Sequence, residues 1–401
     1  MISTQNLPVE YEAQIDLFEK VSELNFSNIQ NVIKSKKIDG NIAAFWALKD
    51  YLLPLVDKLN QNYSYSKSVS QSSLIKLTKN KYEMRLALKD TDYNPNYLLL
   101  TGLEDTKNPW PNSTIVLKPI LGYASIGVEK VKPSDCFQDA YNRCKSVLSK
   151  ISSNLQDYHS EGDYNSHQDI LAEEYIDGPE YSAEVFANES GIHCLGVCGK
   201  SEMIPPFFEE ISYLLPPAIP EGERTIIETA AVDIMKKLGM KSGIAHVEIR
   251  MKGTVPKVLD IGMRIGGAGL THDLLSVSLG IDLVKAVLAE LCNFDSRPYL
   301  NIKSKNMALL YLLQVGNGGE VLSIPDFKSS EKFNNIKNEF VKAEYFVKKG
   351  DTIEGYPAYS GLPGYVFFKI QGQDDTSFKR VQELLEISPE VFGLKLKYEK
   401  S

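Results

Sequence analysis

Near the centre of the chain, apolar and polar residues alternate along two adjacent runs within Gly243 to Gly269, separated by Lys252-Gly253-Thr254. Such alternation on either side of a turn predicts a β-hairpin. In the first run His246, Glu248 and Arg250 share one face, and Ala245, Val247 and Ile249 share the other. In the second, Asp260, Gly262 and Arg264 share a face, opposed by Leu259, Ile261 and Met263. A turn centred near Thr254 sets Glu248 opposite Asp260. Two carboxylates at that cross-strand spacing repel, so a cation is expected between them. Mg²⁺ held by carboxylates and substrate phosphates meets that need. Arg264 adds a planar fork suited to a phosphate or carboxylate. An exposed hairpin with a charged outer face would show the same alternation.

The flanking sequence supplies elements of both periods. Tyr11 to Leu24 and Phe26 to Ile33 have helical spacing, Asn41 to Trp46 is short enough for a buried strand, and Tyr51 to Leu59 reads as a helix interrupted early by Pro54. Ser64 to Ser73 is serine-rich and suits a linker. Lys79 to Leu88 predicts a helix with Lys81 and Arg85 on one side, which a solvated basic face would also explain. Thr114 to Lys118 is a β-branched strand ending at Lys118-Pro119. The loop after it carries Gly122, Ser125 and Gly127, whose amides suit a phosphate nest or plain turn chemistry, and Glu129 to Val131 returns as a strand. Asp135 to Leu155 is expected to be helical and Tyr158 to His167 a mobile loop. Ile170 to Ile176, Asp177-Gly178-Pro179 and Glu180 to Phe186 read as a second, acidic hairpin, and Gly191 to Cys198 as a further strand. Met203 to Pro220 suits a pocket wall or lid. Glu223 to Leu238 aligns Ile226, Ala230 and Ile234 on a helix, and Leu270 to Cys292 is helical with a break near Gly280.

Composition narrows the class. A chain of 401 residues, 43% hydrophobic, can bury a large core. Its net charge of −8 argues against a nucleic-acid partner. Five cysteines without a CxxC pair suit reduced thiols. The opening residues carry no basic, apolar leader, and no apolar run reaches membrane-spanning length. The expectation is a cytoplasmic protein with no membrane partner.

The ordered set Lys81, Lys118-Pro119, Gly122, Ser125, Gly127-Val128, Glu173-Glu174-Tyr175-Ile176, Gly178, Glu180, Glu184, His246, Glu248, Asp260, Arg264 and Gly266-Gly267 resembles the signature of ATP-grasp carboxylate–amine ligases. The likeness spans roughly residues 75 to 295. Lys349 to Ile353 and the glycines of Gly316 to Val321 are similar to the C-terminal part of the L-amino-acid (dipeptide-forming) ligase branch.

The resemblance implies an α/β (α+β) ATP-grasp fold, two α+β subdomains clamping ATP. It divides the chain into a short N-terminal α/β region at 1–75, an ATP-grasp core at 76–300 with its small subdomain about 110–190, and a C-terminal α+β portion at 301–401. It implies ATP and Mg²⁺ (or Mn²⁺) as cofactors. Lys81 and Lys118 would hold the α- and β-phosphates, and Ser125 and Gly127 would cover them. Glu173 would lie at the adenine edge, with the Glu174 carbonyl and Ile176 amide reading the base, and Glu180 would bind ribose. Glu248 and Asp260 would be the metal ligands, and Arg264 would hold the substrate carboxylate or acyl phosphate. Arg264 and Lys118 would supply the catalytic electrostatics. The implied reaction joins a carboxylate, an amino acid or similar, to an amine through an acyl phosphate, releasing ADP and phosphate. A bicarbonate-using ATP-grasp enzyme, or a nucleotide-binding protein without ligase activity, remain the alternatives. Two departures stand out. The second metal strand reads Asp260-Ile261-Gly262-Met263-Arg264 where the family pattern is Glu-x-Asn-x-Arg. The N-terminal region is short, and completion by a second copy in a homodimer would supply what it lacks.

Overall fold

A computed structural model describes residues 2–3, 18–65, 72–101, 107–122, 125–152, 169–201, 208–355 and 362–397. The expected Tyr158–His167 loop, residues 11–17, the middle of the Ser64–Ser73 linker and the start of the Met203–Pro220 segment lie outside them; the rest of Tyr11 to Leu24 is not the expected helix but holds the two-residue strand Glu19–Lys20. In chain order the strands used below are β1 Tyr97–Leu100, β2 Ile115–Pro119, β3 Glu129–Val131, β4 Ile170–Glu174, β5 Glu180–Asn188, β6 Gly191–Lys200, β7 Ser212–Leu215, β8 Gly243–Lys252, β9 Val255–Gly262, β10 Asn306–Leu312, β11 Phe340–Tyr345 and β12 Gly364–Gln371. They form two antiparallel sheets, one of four strands ordered β1-β4-β2-β3 and one of eight ordered β9-β8-β5-β6-β7-β10-β12-β11. Because β10 pairs with β7, the sheet that contains the central hairpin continues past residue 300.

Period-2 alternation separates the two faces of the large sheet. On β8, Ala245, Val247, Ile249 and Met251 enter one apolar cluster with the helix Glu221–Lys237, while His246, Glu248 and Arg250 line a cleft. On β10, Ala308, Leu310 and Leu312 face a second cluster with the helices Leu270–Leu279 and Leu283–Leu291, and Met307, Leu309 and Tyr311 face a third. The small sheet packs Ile115, Leu117 and Ala172 under the helix Phe137–Ser152.

Several expectations change. The acidic hairpin does not form, since β4 belongs to the small sheet and β5 to the large one. The Asp177-Gly178-Pro179 turn crosses between them. A Cβ at Gly178 would strike the Met251 carbonyl, and Met251 N–H donates to Pro179 O at 3.1 Å. That close approach pins the crossover to β8. Asn41 to Trp46 is no strand, having only the Ile42–Ser64 bridge. The Asn60 side chain satisfies Phe45 N–H (2.7 Å) and C=O (3.1 Å) where a partner strand would have done so. Pro54 opens the helix Leu53–Tyr63 rather than interrupting it, as its missing N–H is tolerated in the first turn. Lys79 to Leu88 is two helices, Ser72–Lys79 and Lys81–Ala87, with Asn80 capping the second through Tyr82 N–H and Glu83 N–H. Their Lys81 and Arg85 are buried, not a solvated face. Ser212–Leu215 is a sheet strand inside the expected lid. On the helix Glu221–Lys237, Ile227 is buried in place of Ile226, which is 41% exposed. No described helix is long and apolar enough to cross a membrane.

Candidate active site

The hairpin β8–β9 turns through Gly253, whose φ of +61° suits glycine, and sets Glu248 opposite Asp260 in register. A bulge follows at once, because Glu248 pairs with Asp260 but Ile249 pairs with Val258. The extra residue, Leu259, therefore lines the cleft instead of the apolar face where strict alternation put it, and Val258 takes the core position. The bulge also turns the Leu259 carbonyl toward two cations. Arg85 Nη2 donates to it at 2.9 Å and Lys118 Nζ at 3.2 Å.

One cleft of about 470 Å³ gathers the expected residues. Lys81, Lys118, Ser125, Glu173, Glu174, Ile176, Glu180, Glu248, Asp260 and Arg264 all line it. Gly127, just beyond Ser125, has φ +73° and packs on Pro119 and Val147. Lys81 Nζ reaches Asp260 Oδ2 at 3.0 Å and the Gly122 carbonyl at 3.4 Å. Lys118 Nζ lies 2.6 Å from Glu173 Oε2, and Arg85 Nε lies 2.6 Å from Glu173 Oε1. The Glu173 carboxylate is thus wholly engaged by two buried cations. Burial alone would raise it, but Arg85 and Lys118 outweigh burial and hold it below the usual carboxylate range. Burial, aided by nearby Arg85 and Lys81, brings the Lys118 ammonium down although Glu173 opposes it.

The second cluster lies on the large sheet. Cross-strand pairing puts Arg250 beside Glu180 and His246 beside Glu184. Arg250 Nε donates to Glu180 Oε2 at 2.9 Å, and His246 Nδ1 lies 2.5 Å from Glu184 Oε1 and its Nε2 3.5 Å from Glu248 Oε1. Burial disfavours the imidazolium, yet Glu184 and Glu248 outweigh it and raise His246 to about 9. A Cβ at Gly266 would overlap His246 Nδ1 and Glu184 Oε1, so only glycine fits against this pair.

Four groups, Lys200, Glu210, Asp50 and Lys79, were not legible as site residues. Lys200 Nζ sits among Glu180 (2.8 Å), Glu210 (2.7 Å) and Glu248 (2.8 Å). It is the cation beside Glu248, as Lys81 is the cation beside Asp260. Burial opposes the Lys200 charge, but the three carboxylates raise it well above the ordinary lysine range. Asp50, from the N-terminal region, binds Lys79 through Oδ1 at 3.0 Å and Arg264 Nε through Oδ2 at 2.6 Å. Only Lys200 carried a signal in advance, as an isolated lysine at the inward parity of a strand end. Carboxylate oxygens of Glu180, Glu210 and Glu248 lie within 4.8 Å of one another, and Glu248 and Asp260 are partly open to the cleft. Hard oxygen donors of this kind fit Mg²⁺ or Mn²⁺.

Two sheets closing on a cleft lined by lysines, an arginine and carboxylates define an ATP-grasp fold, and the family model for the ATP-grasp domain matches residues 112–272. Over those residues the chain carries an ATP-grasp domain. It is similar to carnosine synthase 1 of Mus musculus, 23% identical over 221 residues that cover 54% of this chain and 25% of that protein. It is also similar to the alanine–anticapsin ligase of Bacillus subtilis (strain 168), 24% identical over 208 residues, 48% of this chain and 42% of the relative. The L-amino acid ligase from Bacillus licheniformis superposes with a TM-score of 0.75 at 22% identity, covering 94% of this chain and 86% of that one. The chain spans a quarter to under half of the length of these two curated relatives.

Proposed function

We propose that this chain is an ATP-dependent, ADP-forming carboxylate–amine ligase that activates an amino acid or similar carboxylate as an acyl phosphate and joins it to an amine. The observation that carries the proposal is the convergence of Lys81, Lys118, Glu248, Asp260 and Arg264 on one cleft. The named ligases among the relatives support it.

In this reading Lys81 and Lys118 neutralise the α- and β-phosphates, and Ser125 and Gly127 belong to the loop that covers them. Glu174 and Ile176 read the base from the backbone. Glu173, besides lying at the adenine edge, holds Lys118 in place through its buried ion pair. Glu180 takes the ribose hydroxyls, using lone pairs left beside Lys200 and Arg250. Glu248 and Asp260 would hold Mg²⁺ or Mn²⁺, which when bound neutralises the triphosphate and polarises its terminal phosphoryl group. The substrate carboxylate, steadied by Arg264, attacks the γ-phosphorus and ADP leaves. The amine then attacks the acyl carbon and phosphate leaves. Each step moves negative charge toward groups already positioned around it, which is the electrostatic part of catalysis. Division into 1–75, 76–300 and 301–401 is retained as a proposal, the last part sharing the large sheet.

Phosphate release from ATP with amino acids supplied singly and in pairs tests the function. Pair-dependent release is the expected result. Bicarbonate-dependent release would instead favour a carboxylating enzyme, and silence with retained ATP binding would leave only nucleotide binding.

A further inference from the structure

Besides its charged groups, the cleft has leucines in its wall, among them Leu48, Leu270, Leu310, Leu312 and Leu362. All five belong to or pack on one apolar cluster under the large sheet. They come from separate parts of the chain, yet the backbone ties two of them to Arg264. Leu48 is two residues before Asp50, the carboxylate that Arg264 grips. A Cβ on Gly269 would sit 3.3 Å from Leu48 Cδ1, and one on Gly267 would sit 3.3 Å from Leu270 Cβ. Leu48 and Leu270 therefore flank the turn that follows Arg264. Leu310 and Leu312 extend the wall along β10, where Leu310 pairs with Tyr213 of β7. Glu209 also lines the cleft, but its Oε1 accepts from the amides of Val315 (2.8 Å) and Gly316 (3.4 Å). That oxygen is occupied and does not offer itself to a cationic side chain.

A guanidinium beside an aliphatic wall is complementary to a carboxylate whose own substituent is apolar and bulky. We propose that the activated carboxylate is that of an amino acid with a large uncharged side chain, such as leucine, isoleucine, methionine or phenylalanine, lying on the leucine wall. This rests on the ligase reading above. A small donor leaves the wall wet, and a charged donor loses hydration where it lies against leucines. Complete burial of such a side chain corresponds to roughly a 10- to 150-fold gain in kcat/KM over glycine.

Hydroxylamine as the amine isolates the donor half, since it displaces phosphate from any acyl phosphate formed and leaves a hydroxamate. The full chain, with ATP and Mg²⁺, is given single amino acids from the bulky apolar, small, acidic and basic classes, and hydroxamate and phosphate are measured together. The expected order puts the bulky apolar donors first by that factor. Leu270→Ala should shift the preference toward larger side chains, and Leu48→Arg should cut the apolar donors and favour acidic ones. Glycine, acidic or basic donors leading in the unaltered chain would overturn the wall assignment while leaving the ligase reading intact. No amino-acid-dependent hydroxamate from any class, with ATP still bound, would overturn both.

Discussion

Arg264 and Asp50, 214 positions apart, meet in a charge-assisted hydrogen bond, Nε to Oδ2 at 2.6 Å. Asp50 also holds Lys79 at 3.0 Å, so a single carboxylate from the N-terminal region neutralises two cations at the cleft. Burial pushes the Asp50 carboxyl up, but Lys79 and Arg264 outweigh it and hold it well below the ordinary range. Its folded-state pKa lies below the unfolded value of about 3.9. The stabilisation is therefore complete above that value and fades as pH falls below it. Asp50→Asn leaves both cations without their partner. The expected loss at neutral pH is about 3–5 kcal/mol, the usual cost of breaking a buried pair. Urea unfolding should show this gap narrowing below about pH 4. An equal gap at acid and neutral pH would remove the ion pair as its cause.

Lys118 is shared between Glu173 and the cleft, which shapes what its removal should do. Lys118→Ala leaves Glu173 still paired with Arg85 at 2.6 Å, so the buried carboxylate keeps one counter-charge and the fold should survive. Loss of one hydrogen bond to a charged phosphate corresponds to about 1.5–3 kcal/mol, or roughly a 10- to 150-fold rise in Kd for ATP. Calorimetric titration with ATP measures it directly. Glu173→Gln should do the reverse, weakening the fold more than nucleotide binding, because two buried cations then lose their common partner.

The alternation of β8 was legible because strand parity is a local property: it put His246, Glu248 and Arg250 on one face without knowledge of any neighbour. Glu248 does face Asp260, but through the bulge: the two-residue turn pairs Lys252 with Val255, and its register alone would have set Glu248 opposite Leu259. What lay beyond reach was tertiary. No pattern in sequence marks the bulge that turned Leu259 into the cleft, nor tells Asp50 that its partner is Arg264. Parity also could not say that Ile170–Glu174 and Glu180–Asn188 go to different sheets, since adjacent strands with a turn between them read as a hairpin by default. Lys81 and Arg85 had helical spacing in plain view, yet spacing alone cannot distinguish a solvated basic face from buried ion pairs.

Gly266 offers a steric test with a built-in control. Ala at 266 would place a methyl group on the His246–Glu184 contact and force the pair apart. Ala at 222, in the first turn of the helix Glu221–Lys237, meets open space. Gly266→Ala should lose activity and lower Tm, whereas Gly222→Ala should raise stability by roughly 0.5–1 kcal/mol through reduced freedom of the unfolded chain. Equal effects of the two substitutions in thermal unfolding would show that the backbone around Gly266 yields.

The cysteines should report burial through their chemistry. Cys136 is exposed, whereas Cys144 and Cys198 are buried. Burial, with smaller help from Glu129 near the first and Glu184 near the second, pushes both thiols far above their ordinary range. The thiolate is the reactive species, so iodoacetamide at pH 8 should label Cys136 in the native protein and spare the other two until denaturant is added. Mass spectrometry of the peptides reads the order, and prompt native labelling of Cys198 would contradict its place beneath the sheet.

Glu248 is where metal binding and structure are expected to separate. In the folded chain its carboxylate contacts Lys200 at 2.8 Å and His246 at 3.5 Å. Burial would raise it, but Lys200 and His246 keep it well below the usual range, so it remains an anion throughout neutral pH. Glu248→Ala leaves Lys200 with Glu180 and Glu210, and His246 with Glu184, so each cation keeps a counter-charge and folding should persist. Turnover should fall by at least about 100-fold, the scale of losing one fixed stabiliser of developing charge. Mn²⁺ binding, followed by electron paramagnetic resonance in the presence of ADP, should weaken in parallel. A variant that keeps its thermal transition and its Mn²⁺ affinity but loses turnover would show that Glu248 acts by orienting Lys200 and His246, with the ion held by other oxygens of the cleft.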